Sequence, residues 1–454
     1  MKKLFLTTMV TGVAALCCNA QSVYNILDFG AKDDTTAYST EAVQKAIDLC
    51  SQNGGGQVLV PKGDYQIGSI ELRSHVNLHL EEGATLYGSR NVNDYRPMKT
   101  DYVSLRTRTT TIQLVYADNV DDVQITGTGT IDGRGSAFPK LTWNDEGITR
   151  PHLLRFIQSR NIRVSDIHLV NSGCWMQHYL ACDDVEIRNI KVVNRNNYNN
   201  DALDLDGCHR VKVYGMVADS DDDGITLKST SPRLCEDIEI SHCDVSSHCN
   251  AIKLGTETNG GFRNIRIHDI TVHPSAHQES RFFGRHNGTS TVSLEIVDGG
   301  VLENVEVSRI TALETESPFF IRLGNRARSW SDDVKIDWVG KIRNVLLKDI
   351  TVTCAGNTGS SVTGLAEAPV ENVVFENILI VQKGDVTAPV EAPADEKIAE
   401  YPEATMWGLL PAKGFYINHA RNITFRNVMV ESLSEDVRPF LYKTDAEGVT
   451  ETKD

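Results

Sequence analysis

The 454-residue chain is poor in basic charge, with Lys and Arg numbering 45 against 61 Asp and Glu, for a formal net charge of -16. A phosphate backbone must be met by a basic footprint, so nucleic acid is excluded as a partner. Metal-type cysteine patterns are also missing: there is no CxxC pair, and no four Cys and His residues stand at zinc-site spacing. Metal binding is therefore not expected. The apolar run from Leu4 to Leu16 is too short to span a bilayer. Lys2 and Lys3 precede it and Cys18-Asn19-Ala20 follows it as a small-residue cleavage site. Residues 1–20 read as a signal peptide, which implies export to the periplasm or beyond. The rest, at 40% hydrophobic and 23% charged over the chain, can bury a sizeable core and is not the composition of a disordered protein.

What the sequence does have is a repeat. The pattern apolar, x, apolar, x, x, apolar, x, apolar recurs nine times, from Ile162, Val164, Ile167 and Leu169 to Ile423, Phe425, Val428 and Val430. Each copy reads as two short strands of period two separated by a bend such as Ser165-Asp166. From Val185 to Ile265 successive copies start about 26 residues apart, which suits one solenoid turn and is too short for a propeller blade. A single turn cannot bury its own apolar face, so the turns must stack. The expected fold is all-β, a right-handed single-stranded parallel β-helix, with residues 21–454 forming one domain. Ala42, Val43, Ala46, Ile47 and Cys50 have helical spacing and precede Gly54-Gly55-Gly56, predicting a short helix that caps the N-terminal end. Eight cysteines lie outside the leader, several at apolar repeat positions, and read as core-filling thiols before a disulfide framework. The wider gap from Lys383 to Ala412 reads as a long surface loop whose acids are solvated.

A third strand per turn carries the candidate chemistry. Leu203 and Leu205, Ile225 and Leu227, and Ile252 and Leu254 are apolar pairs on consecutive turns, so Asp201, Asp223 and Asn250, two residues before each pair, form one column. Asp222 lies beside Asp223. An ionised carboxylate is not tolerated in the apolar interior, so the chain is expected to bend there and present these groups on the outer surface. Like charges this close raise at least one pKa, the condition for a general acid at neutral pH. Polar turn residues and a calcium site are the competing readings.

The most specific stretch, Asn199-Asn200-Asp201 followed by Asp222-Asp223, resembles the Asn-x-Asp and Asp-Asp motifs of family 28 glycoside hydrolases, the polygalacturonase and rhamnogalacturonan hydrolase group. Asp28-Phe29-Gly30-Ala31, Gly127 to Gly133, Asn171 to Trp175 with His178, and Tyr401-Pro402-Glu403 match further segments of that family. The resemblance implies a pectin lyase-like solenoid acting on pectic polysaccharide or oligosaccharide as a monomer, with no metal or organic cofactor. It implies that Asp222 protonates the leaving oxygen while Asp201 and Asp223 activate water, cleaving α-linked galacturonosyl bonds with inversion. Two motifs depart from the family. Its Gly-His-Gly falls on Cys249-Asn250-Ala251, leaving His248 as the nearby histidine, and its Arg-Ile-Lys is blurred, with Glu295 in place of the arginine and Arg322 one turn later. These departures favour a specialised or exo-acting member, or a rhamnogalacturonan hydrolase. Candidate substrate-binding residues are Asn250, His248, Lys253, Lys228, Arg322 and Arg285, the cations among them as partners of a sugar carboxylate. Trp143, Trp175 and Trp330 are candidates for stacking on sugars, although Trp175 also suits packing in a turn. A lyase on the same scaffold and a catalytically silent glycan-binding β-helix are the other readings, since fold alone does not choose among them.

Overall fold

A computed structural model describes residues 22–108, 110–140, 149–277 and 287–452. The leader, Trp143 and Arg285 lie outside the described residues.

The repeat becomes a stack of parallel strands in register. Ile162 pairs with Val185, and the ladder continues through Val211, Ile238, Ile265, Val305, Val345 and Val373 to Ile423. The first copy of the repeat is the strand pair Arg160–Ser165 and His168–Val170, whereas later copies run together, as in Cys235–Ser247. The bend between the paired strands has a specific chemistry. Asp166, Asn189, Asp269, Asp349 and Asn377 take left-handed φ values there, between 53° and 64°, and Gly215 takes 70°, while His242 and Arg309 hold the same place at 55° and 53°. Asn, Asp and Gly are the residues that enter this region at low cost.

A second left-handed column, just before the repeat, is tied by its side chains. The Asn304 amide donates to Asn264 at 3.3 Å, Asn344 to Asn304 at 3.3 Å, Asn372 to Asn344 at 3.0 Å and Asn422 to Asn372 at 3.1 Å. This external ladder adds a hydrogen bond per turn where the backbone leaves the sheet.

One continuous apolar core runs from Ile26 to Val428. Each fully buried Val, Leu or Ile in it contributes roughly 1.5–3 kcal/mol, so register is fixed by the whole column and not by any one residue. The helix Thr40–Gln52 closes the N-terminal end by burying Val43, Ala46, Ile47 and Cys50. The eight cysteines from Cys50 to Cys354 are all buried and unbridged. Among the described residues no helix is long and apolar enough to cross a membrane.

Candidate active site

The third strand of each turn stacks Leu203, Ile225, Ile252, Val292 and Phe319 in one inward ladder. Just before it the backbone fixes the carboxylate column. The Met176 amide donates to the Asp201 carbonyl at 3.0 Å, Ala202 to Asp223 at 3.0 Å, and Gly224 to Asn250 at 2.9 Å. Polar side chains hold the bend that turns the aspartates off the core. The Asn200 amide donates to the Cys174 carbonyl at 2.9 Å, and the Ser220 hydroxyl donates to the Asp222 and Asp223 carbonyls at 3.0 and 3.2 Å.

The aspartates leave the apolar core, but an open outer surface is not where they arrive: Asp201 and Asp223 are only 3% and 2% exposed. Segments from other parts of the chain cover them. Arg106, Trp175, Arg328, Tyr401 and Glu403 complete a cavity of about 210 Å³ over Asp201, Asp222 and Asp223.

Burial and charge then separate the protonation states. Burial, reinforced by the Asp223 charge, lifts Asp222 to about 7. Asp223 is equally starved of water, but Lys253 and Lys228 outweigh burial and hold its carboxyl below the ordinary value. The Lys253 ammonium donates to Asp223 Oδ2 at 2.9 Å, and the Asn250 side chain and main chain donate to Oδ1 at 2.7 and 3.1 Å. Asp201 is pushed well up, by burial first and then by Asp204 and Asp222, and its Oδ1 has no protein partner. One carboxylate is thus kept charged while two neighbours hold protons as a coupled set.

The far wall is basic. Glu257 accepts from Arg106 Nη2 at 2.7 Å and from Arg328 Nη2 at 2.9 Å, and lies 3.5 Å from Lys228 Nζ. Three cations surround one carboxylate, which they hold well below its ordinary pKa against the effect of burial. The Trp175 ring carries the Arg106 guanidinium 4.5 Å and the Lys228 ammonium 4.9 Å from its centroid. That ring faces the cavity and is not simply packing in a turn.

The other expected site residues are not all gathered. Asn250 and Lys253 lie under Asp223 and act on it directly, and Lys228 lines the cavity. His248 lies outside the lining, 2.7 Å from Arg195 and 3.0 Å from Asp221. Arg322 stacks on Glu295 as the turn order suggests, yet it lies outside the lining too. It is 2% exposed and donates to the Glu396 carbonyl at 2.7 Å, with Trp407 5.3 Å away.

The loop 383–412 requires a correction, because its acids are not all solvated. Glu403 enters the cavity, where burial raises it to about 8, and the Tyr401 hydroxyl lies 3.1 Å from Lys253 Nζ. Arg106 and Arg328 have no periodic relation to the aspartate column, and Glu257 lies on the strand Asn250–Thr258 past the apolar pair that marks it, so the repeat gives no sign of these three.

Asp222, Asp223 and Cys249 present donor atoms within 4.8 Å of one another. That donor set suits a cation poorly: burial pushes the Cys249 thiol well up, keeping it neutral, and Asp223 already satisfies a lysine and an asparagine.

Known proteins resemble this chain in sequence and in fold. The chain is similar to a probable polygalacturonase of Vitis vinifera, 29% identical over 278 residues that cover 57% of this chain and 56% of that protein. It is 27% identical over 238 residues to a probable rhamnogalacturonase A of Aspergillus oryzae, covering 52% of this chain and 45% of the other. The chain thus spans about half the length of these curated relatives. Among solved structures, an exopolygalacturonase from Thermotoga maritima superposes with a TM-score of 0.65 at 22% identity, over 80% of this chain and 87% of that one. A family 28 exopolygalacturonase from Yersinia enterocolitica gives 0.69 at 17% identity, over 95% and 78%. At these identities the superpositions speak for the fold, a right-handed parallel β-helix. The sequence model of the glycosyl hydrolases family 28 matches residues 50–398, and with that match across the strands that build the aspartate column, the chain belongs to this family.

Proposed function

We propose that the protein is an exported hydrolase that cleaves α-linked galacturonosyl bonds of pectic material with inversion, and that it works from a chain end. The observation that carries this reading is the split within one cavity: Asp222 is held near neutrality while Asp223 beside it stays ionised. An inverting hydrolase needs that pair of states, one carboxylic acid for the leaving oxygen and one carboxylate for the water.

In this mechanism Asp222 donates its proton to the glycosidic oxygen as the bond to the anomeric carbon breaks. Water attacks that carbon from the opposite face and gives its proton to Asp223. Asp201 offers its unpartnered Oδ1 to orient the water. Lys253 and Asn250 are positioning residues that keep Asp223 charged. Arg106, Lys228 and Arg328 supply the local positive potential that an anionic sugar needs against an acidic chain.

Chain-end action is supported by the cavity's walls, because the segments around Arg106, Arg328 and Tyr401 close over the aspartates and leave a pocket of limited volume. Exo-acting names among the similar structures favour the same reading. The relatives named rhamnogalacturonase support a second one, in which the sugar on the leaving side is rhamnose.

The test is incubation with polygalacturonate, rhamnogalacturonan and their oligomers, with products separated by chromatography and the new anomer followed by NMR. Release of monomer or dimer as the β-anomer is expected; an α-anomer would overturn inversion, and a ladder of mid-sized oligomers would overturn chain-end action. Asp222→Asn is expected to lower turnover by about 10²–10⁴. Full function in that variant would leave the glycan-binding reading standing instead.

A further inference from the structure

Behind Trp175 lies a second, smaller cavity of about 60 Å³, lined by Arg106, Thr111, His152, Arg155, Trp175 and His178. It shares Arg106 and Trp175 with the larger cavity, and none of the chemistry above uses its other residues.

Its charge is unbalanced. Arg155 is 2% exposed, yet its guanidinium donates only to the Thr111 hydroxyl and, at 3.0 Å, to the Arg106 carbonyl, and its Nε has no hydrogen-bond partner. Among the described residues no carboxylate lies within ion-pair distance of it; Asp206 and Asp118 act on it from farther away and do not outweigh its burial, which pulls the guanidinium down to about 10. A buried guanidinium so weakly compensated is costly. His152 and His178 are also buried, and the Nδ1 of each lacks a partner. His178 is fixed through its other nitrogen, 3.1 Å from Asp206 Oδ2, and Asp206 in turn accepts from the Thr230 amide at 2.8 Å and its hydroxyl at 2.6 Å. Burial and then the charge of Arg155 hold the His152 ring well below its ordinary pKa.

Water filling the space satisfies hydrogen bonds but not charge. An anion supplies both. Size narrows the choice: the chamber has less than a third of the volume of the adjoining cavity, which suits a carboxylate better than a sugar ring.

We propose that this chamber binds a small carboxylate, and that in turnover it receives the carboxylate of a uronosyl unit whose ring lies in the adjoining cavity. The second half rests on the hydrolase reading; the first does not.

The two halves are tested separately. With the full chain at fixed ionic strength, acetate and D-galacturonate are expected to raise the melting temperature saturably, and D-galactose is not. Arg155→Met, which removes the charge at similar length, and His152→Phe, which fills the chamber, are each expected to weaken acetate binding about tenfold or more, the scale of a lost charge-assisted hydrogen bond. Arg155→Lys is expected to retain part of it, and serves if the methionine variant does not fold. Absence of a saturable acetate effect in the wild type, or an unchanged effect in both variants, overturns the site.

For the substrate half, kcat/KM is compared between galacturonate oligomers and their methyl esters. Arg155→Met is expected to lower the ratio of acid to ester about tenfold; equal losses on both overturn the assignment to substrate while leaving the carboxylate site intact. A wild type that hydrolyses no galacturonate oligomer refutes the hydrolase reading, and the acetate titration still decides the chamber.

Discussion

Asp222→Asn is expected to make the protein more stable while disabling it, and the size of the gain follows from the site. In the folded chain the Asp222 carboxyl is lifted from 3.8 to about 7, by burial first and by the Asp223 charge second. A raised folded-state pKa means that the folded protein binds this proton more tightly than the unfolded chain does. The wild type therefore loses stability as pH rises from about 4, and the loss is complete above about 7. At about 1.4 kcal/mol per tenfold change in proton affinity, the full penalty is roughly 4 kcal/mol. Protons shared with Asp201 and Asp223 spread part of it, so a gain of about 2–4 kcal/mol at pH 8 is expected for the variant, shrinking towards zero near pH 4. The amide retains an acceptor for the Asp223 main-chain N–H, now 2.9 Å from Asp222 Oδ1, so no bond is lost in the exchange. The assay is urea unfolding of both proteins at pH 4, 5, 6, 7 and 8. A variant no more stable than wild type at pH 8, or a difference that does not grow between pH 4 and pH 7, would refute the claim that the cavity forces a proton onto Asp222.

Other expectations can be checked in parallel. Lys253→Met strands the buried Asp223 carboxylate and is expected to cost about 3–5 kcal/mol in urea unfolding at pH 8, with a second change, Asp223→Asn, restoring part of the loss; strict additivity would contradict the pairing. Asn250→Ala removes a donor that helps hold Asp223 down, so the acid limb of the pH–rate profile should move to higher pH; an unmoved limb would argue against Asp223 as the charged carboxylate. Glu257→Gln leaves Arg106, Lys228 and Arg328 without their shared counter-charge and should destabilise the fold by about 3–5 kcal/mol, measured by thermal or urea unfolding; a neutral effect would show that the cluster is not held by that carboxylate. Asn344→Ala breaks two links of the asparagine ladder at a left-handed φ of 57° and should cost about 1–2 kcal/mol for the backbone alone. Asn344→Gly should cost less than the alanine if backbone conformation dominates, and calorimetry on the two variants separates them.

The sequence by itself determined the solenoid, because apolar pairs recurring at fixed intervals can be buried only by stacking turn on turn, and stacking fixes register. The same regularity placed Asp201, Asp223 and Asn250 in one column, since residues at equal offsets from stacked strands must be neighbours. It also put Lys253 near that column. The bends were legible as positions, because the apolar alternation breaks between the paired strands, while their left-handed conformation and the asparagine ladder became visible only once successive turns were superposed.

What surrounds the column was decided by the tertiary structure. Arg106 and Arg328 come from separate loops with no shared period, Glu257 stands at the far end of the strand Asn250–Thr258 beyond its apolar pair, and Tyr401 and Glu403 come from a loop whose composition suggests only solvation. Their arrival buries the aspartates that the strand pattern alone would leave on the surface. Burial is what lifts Asp222, and the lysine brought under Asp223 is what keeps that neighbour charged. Arg322 shows the converse: its strand turns it out of the core as the alternation requires, and a distant loop then covers it. Strand periodicity says which way a side chain points; only the folded loops say whether it meets water, a counter-charge or a cavity, and that difference sets its protonation and therefore its chemistry.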